Sequence, residues 1–238
     1  METTIDILKR YFDKKALTAI SRSTQVLPFI TISRQAGAAD IKFLKDLLNA
    51  LNEYDAGKTK EWNMFGKESL GIIIQDKSIT KSIDDFLPEK KIPELQSMLE
   101  QLFGVHSSIQ KIVKETSHSI LKIASMGETV LIGRGSNHIT KHLPGGMHIR
   151  FISSIEHRIS NIMQSFEGKP EGQNPKCARK YIEDEDKNKK DYVKKNFNED
   201  IENPSYYSMV INLSRMSEED AIDIICHHIV GLRRKLNR

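Results

Sequence analysis

The sequence predicts an α/β fold, a three-layer sandwich in which a parallel sheet lies between helices, and three observations carry that expectation. Short apolar runs rich in Ile, Val, Leu and Phe alternate with longer stretches whose apolar residues recur at helical spacing. Two of the short runs lead into glycine-bearing turns ahead of the next helix, as strand-to-helix turns do. No internal repeat or low-complexity tract interrupts the alternation, and strands separated by helices argue for parallel pairing.

Within residues 1–15, Ile5, Leu8 and Phe12 mark a short amphipathic helix, read as part of an appendage over 1–25 packed on one domain spanning 26–238. QVLPFITIS (25–33) is the first buried strand. IKFLKDLLNALN then places Ile41, Leu44, Leu47, Leu48 and Leu51 on one helical face. Residues 53–66, with Asp55, Gly57 and Gly66, read as a polar connector. Helices are expected at about 67–76 and 92–103, separated by the Pro88–Pro93 region. Another is expected at about 109–126, with Ile109, Ile112, Val113, Ile120 and Ala124 on its stripe. ETVLIGRG (128–135) and MHIRFIS (147–153) are the next strands, and Ser153 with Glu156 suggests a capping box opening a helix. The charged stretch 175–200 reads as helix and SMVINL (208–213) as the last strand. Ser217 and Asp220 cap a final helix carrying Ile222, Ile225, Ile229 and Leu232.

The 238 residues are 38% hydrophobic, enough for a sizeable core. Lys and Arg exceed Asp and Glu by 36 to 32, a net charge of +4, which is too mild for a protein that coats nucleic acid and suits a small phosphorylated ligand equally well. Two cysteines, Cys177 and Cys226, make no disulfide framework and fit a reducing compartment. The first residues lack the apolar segment of a signal peptide, and no stretch nears the roughly 20 apolar residues of a membrane span. A soluble, cytoplasmic protein is expected.

Ligands of open parallel sheets bind beyond the carboxyl ends of the strands, and three segments there carry polar or glycine residues. The first is Ser33-Arg34-Gln35-Ala36-Gly37-Ala38-Ala39, where a phosphate-cradling loop would lie. It lacks the GxxxxGK[ST] pattern, Gly37 is its one glycine, and Asp40 puts a negative charge nearby. Read alone it fits an ordinary strand–helix turn better than a phosphate cradle. The second is Gly133-Arg134-Gly135, whose arginine can lay its planar fork against a phosphate or pair with a surface carboxylate. The third is the charged run from Glu183 to Lys190, either a solvated helix face or a lid bringing cations to a transferring group. Gly57-Lys58-Thr59 imitates the end of a phosphate loop, but a helix precedes it. Cys226-His227-His228 looks metal-binding, yet adjacent helical positions cannot converge on one ion, so no structural zinc is expected.

Taken in order, ITISRQAGA (30–38), WNMFGKESL (62–70), VLIGRGSNHI (130–139), IRFISSIEHRISNIM (149–163), IEDEDKNKKDYVKKNF (182–197) and YYSMVINLSRMSEEDA (206–221) resemble the cytidylate-kinase-like family across about residues 28–230. The resemblance implies the nucleoside monophosphate kinase fold of the P-loop superfamily, with a helical lid over about 168–200. It implies phosphoryl transfer from ATP, with Mg2+, to a nucleoside monophosphate such as CMP. It assigns Gly133, Arg134, Gly135 and Arg158 to the acceptor phosphate and Arg34, Gly37, Ala38 and Lys42 to the ATP side. Asp186, Lys187 and Lys190 fall on the catalytic positions of the lid. No protein metal ligand is assigned. The chain departs from the family where Gly-Gly-Arg usually follows Ala38. Ala39, Asp40 and Ile41 stand there instead, and Gly66 replaces the usual Asp.

Two further readings stay open beside the transferase. One is a nucleotide-binding or regulatory protein on the same fold, suggested by the altered loop. The weaker is nucleic-acid binding through 187–195, disfavoured by the acidic residues 183–186 and the scarcity of interleaved aromatics. The oligomeric state is not readable.

Overall fold

The computed structural model describes residues 3–19, 26–54, 62–87, 91–104 and 111–237. Five strands, β1 (Phe29–Arg34), β2 (Asn63–Phe65), β3 (Thr129–Ile132), β4 (Gly146–Ile152) and β5 (Met209–Asn212), form one all-parallel sheet in the order β2-β3-β1-β4-β5. The helices are α1 (Thr4–Ala19), α2 (Ile41–Tyr54), α3 (Lys67–Gln75), α4 (Lys77–Phe86), α5 (Lys91–Phe103), α6 (Lys111–Met126), the single turn α7 (Ser136–Ile139), α8 (Ile155–Ser165), α9 (Pro175–Phe197) and α10 (Glu218–Leu236). The chain builds one side of β1 with β2 and β3 and the other with β4 and β5. The winding therefore reverses beside β1, where such sheets leave their ligand crevice.

Alternation along the strands divides the core into two layers. Ile30, Ile32, Val130, Ile149 and Phe151 face α2 and α10, packing with Leu44, Leu47, Ile225 and Ile229. Phe29, Phe65 and Leu131 face the other way, toward Leu70, Ile73, Ile120 and Ile123 of α3 and α6. This three-layer sandwich is compatible with a P-loop kinase-like fold, as the sequence predicts. Beyond Phe29, the same face of β1 and β4 turns polar: Thr31 is registered with His148 and Ser33 with Arg150. Hydrogen bonds link each pair, Thr31 Oγ1 to His148 Nδ1 at 2.8 Å and Arg150 Nη1 donating to Ser33 Oγ at 3.0 Å.

Several expectations about elements are corrected. The connector over 53–66 contains β2, a three-residue strand whose Phe65 is buried. Its turn residues Asp55 and Gly57, the Gly57-Lys58-Thr59 triplet, Pro88 and Ile109 lie outside the described residues. A helix, α4, fills part of the interval assigned to a connection, capped by Asp76, which accepts from Ser78 N and Ile79 N. Ser154, not Ser153, caps α8 by accepting from His157 N. Ile41 and Ile112 are exposed rather than in the apolar stripe, and Phe43 takes the core position. α1 packs on the domain, as expected of it. Phe12 is fully buried in the α3–α6 layer, a contact contributing roughly 2 kcal/mol, although Ile5 stays exposed. Cys226 is buried in the α2–α10 layer, and His227 Nδ1 bonds the Asp223 carbonyl. Among the described residues no helix is long and apolar enough to cross a membrane.

Candidate functional site

Parallel pairing sends the carboxyl ends of all five strands to one rim. Three segments meet there: the turn after β1, the GRG turn after β3, and α9, which lies across both.

The turn over residues 35–39 is held from its own side and from above. Gln35 N donates to the Phe151 carbonyl, and Arg34 Nη1 donates to the Ala39 carbonyl. Gly37 has a φ of +77°, and a Cβ there would sit 2.7 Å from the Arg158 carbonyl oxygen, so the left-handed turn packs directly on α8. Asn161 Nδ2 donates to the Gly37 carbonyl at 2.9 Å. Ala36 joins Ile162, Ala178 and Ile182 in an apolar seam between the turn, α8 and α9.

One backbone donor of this turn, and one in the first turn of α2, already have carboxylate partners. Ala36 N donates to Asp186 Oδ1 at 2.7 Å, while Asp186 Oδ2 accepts from Arg158 Nη1 at 2.5 Å. Asp40 Oδ1 accepts from Phe43 N at 2.8 Å, capping α2 where a phosphate would otherwise meet the helix dipole. The two carboxylates thus occupy positions on the turn that suit anions.

At the GRG turn, Gly133, Arg134 and Gly135 have φ of +70°, +55° and +68°. Three successive left-handed residues, one with a side chain, cost roughly 1–3 kcal/mol at the arginine. A Cβ on Gly135 would meet the Phe197 ring of α9 at 2.3 Å. Arg134 lies beside Tyr192, also on α9; burial raises the Tyr192 pKa and Arg134 opposes the shift. Phe197 further stacks on His138 and lies against Phe103, joining α9 to α7 and α5.

The cations of α9 separate into two sets. Lys189 turns inward: its ammonium donates to the Arg34 carbonyl at 3.3 Å and stands 3.9 Å from Asp186. Its pKa is lowered by burial first, with Arg34 and Arg150 adding to the shift against Asp186. Burial likewise lowers the Arg34 pKa. Lys190 points outward to Glu202 at 3.4 Å, Lys187 is exposed, and Lys42 pairs with Asp46 along the outer face of α2 with its side chain 77% exposed. The structure therefore brings Arg34, Gly37, Ala38, Gly133, Arg134, Gly135, Arg158 and Asp186 to the rim, and leaves Lys42, Lys187 and Lys190 off it. Sequence reasoning missed Lys189 and Arg150. The resemblance assigns Lys187 and Lys190, whereas the inward face of α9 is marked by Ile182, Asp186, Lys189 and Val193. Among the described residues no group of three or more His, Cys, Asp or Glu side chains is placed to hold a metal ion.

A parallel five-stranded sheet with reversed winding at β1, basic side chains on its carboxyl rim and a long helix across them defines a nucleotide-kinase-like α/β protein. The chain belongs to the cytidylate kinase-like family, whose model matches residues 60–215. That span contains the GRG turn, α8 and α9, and begins after the 35–39 turn. Among solved structures, the crystal structure of an uncharacterized protein from Eubacterium ventriosum ATCC 27560 is similar in fold. Its TM-score is 0.63 at 18% identity, over 86% of this chain and 98% of that one. No curated protein matches the chain.

Proposed function

We propose that this chain binds a nucleotide beneath α9 and transfers a phosphoryl group from ATP to a nucleoside monophosphate, with CMP as the family's suggested acceptor. The span of α9 carries the reading. One helix reaches the 35–39 turn through Asp186 and Lys189 and the GRG turn through Tyr192 and Phe197. Phosphoryl transfer asks little covalent chemistry of a protein; it needs cations and alignment. On this reading Arg134 and Arg158 approach the acceptor phosphate, and Arg34 with the Gly37–Ala38 backbone faces the donor. Lys189 does the work assigned above to Lys187 and Lys190. Magnesium would arrive on the nucleotide, since Asp40 and Asp186 are held by backbone amides and Arg158. The test is the purified chain with ATP, magnesium and a panel of nucleoside monophosphates, reading ADP beside a Lys189→Gln control. Turnover above the control supports the reading, and equal rates reject it.

A second reading, a nucleotide-responsive protein without turnover, is favoured by Asp40 capping α2 where the family's loop carries its glycines and arginine. It expects thermal stabilisation by a mononucleotide with no ADP formed.

A further inference from the structure

Arg150 lies in the middle of an apolar strand, 5% exposed. Its partners among the described residues are the Ser33 hydroxyl, at 3.0 Å, and the Tyr207 ring, whose centroid is 5.8 Å from the guanidinium carbon. It forms no ion pair there. A buried guanidinium carries a large desolvation cost, which neutral partners offset poorly. Arg158 at the same rim takes the Asp186 carboxylate, so that negative charge is committed elsewhere. Lys189 stands over Arg34 and 3.9 Å from Asp186, and besides burial the charges of Arg34 and Arg150 disfavour its ammonium. Desolvated like charges gathered at a strand end, with hydroxyls beside them, are the inverse of a phosphate's surface.

We propose that Arg150, Ser33 and Lys189 form a phosphoryl-anion subsite beneath α9, supplying from β4 and the lid the cation that the 36–41 segment lacks. Arg150 presents a fork to two phosphate oxygens, the Ser33 hydroxyl and Tyr207 hold that fork in plane, and Lys189 closes over it. Tyr207 is itself fixed, donating to the Ile201 carbonyl at 2.7 Å. The subsite rests on the nucleotide-binding reading above and deepens it. Its phosphate could belong to a donor polyphosphate or to an acceptor monophosphate.

Isothermal titration of the full chain with inorganic tripolyphosphate in one arm and CMP in the other separates those sources. In Arg150→Gln, affinity for one of the two probes is expected to fall roughly ten- to a hundredfold, as the loss of a charged hydrogen-bonding partner implies. Arg150→Lys should recover part of the loss, and the exposed Lys111→Gln should match the wild type. Ser33→Ala and Lys189→Gln read the same subsite without removing the buried guanidinium, and each should weaken the same probe severalfold. A purely structural arginine would lower the unfolding temperature of the free chain and leave affinity unchanged. Wild-type-like affinity for both probes in Arg150→Gln, or in Ser33→Ala and Lys189→Gln together should Arg150→Gln not fold, overturns the subsite while the nucleotide reading stands. Absence of binding by the wild type to either probe overturns both.

Discussion

Burial holds two histidines of the polar interior neutral. The His138 pKa is pushed down to about 4, mainly by desolvation, and His148 likewise, with His138 adding to its shift. Both His138 ring nitrogens are buried without a partner, between Phe197 and Tyr206. A depressed folded-state pKa means that the unfolded chain takes up protons first as pH falls. Stability from these groups is therefore complete above about 6.5 and is lost as pH drops toward about 4, at up to ~1.4 kcal/mol per pH unit for each histidine. Thermal unfolding followed from pH 7 to pH 5 should show a falling midpoint, with a shallower slope in His138→Phe, which keeps the stack on Phe197. An unchanged slope would mean that His138 titrates normally. Single residues were also where the sequence was hardest to read. Arg150 hides in MHIRFIS because one charge in an apolar run looks like an outward strand position. The inward choice of Lys189 over Lys190 depends on the rotation of α9, which its charge-rich composition does not fix.

Among elements, α9 joins the two turns, and its contacts make definite demands. Gly37→Ala places a Cβ against the Arg158 carbonyl at a φ of +77° and should destabilise the protein by roughly 1–3 kcal/mol, measured by denaturant unfolding. Asp186→Asn removes the charge that binds Arg158 while keeping an acceptor for Ala36 N. It should raise amide exchange over 175–190 with the sheet unaffected. α1 and α10 are tied to the start of β3 by one carboxylate: Glu128 accepts from Lys15 at 3.0 Å and from Arg233 at 2.9 Å, in a pair whose Lys15 and Glu128 side chains are each 4% exposed. Glu128→Ala takes the carboxylate from a buried lysine that keeps the Gly127 carbonyl, and should destabilise by roughly 3 kcal/mol in chemical denaturation; a cost near zero would show that the network is dispensable. Strong periodicity made β1, α2, β4 and α10 legible. β2 was not, because three residues give too few alternations, and α4 was not, because KSITKSIDDF has an apolar face of isolated isoleucines. The Asp186–Ala36 contact joins residues 150 positions apart and leaves no trace in local pattern.

For the whole molecule, parallel topology turns dispersed motifs into one rim, and this part of the candidate site could be read from order and spacing. Arg158 of α8 meets Asp186 of α9, and Arg134 of the GRG turn lies beside Tyr192 of the same helix. The fate of the altered loop could not be read, since it depends on which carboxylates reach the turn once the chain has folded. Asp40 and Asp186 now satisfy donors that would serve a phosphate in a glycine-rich loop, so any guest must displace Asp186 or bind beside it. Hydrogen exchange of the full chain with and without ATP and magnesium addresses this most directly. Nucleotide beneath α9 should slow exchange together at 34–39, 133–136 and 186–197 while leaving α1 and α4 unaltered. Identical exchange at those three segments with saturating nucleotide, or protection confined to another face, would remove the basis for a nucleotide site at this rim.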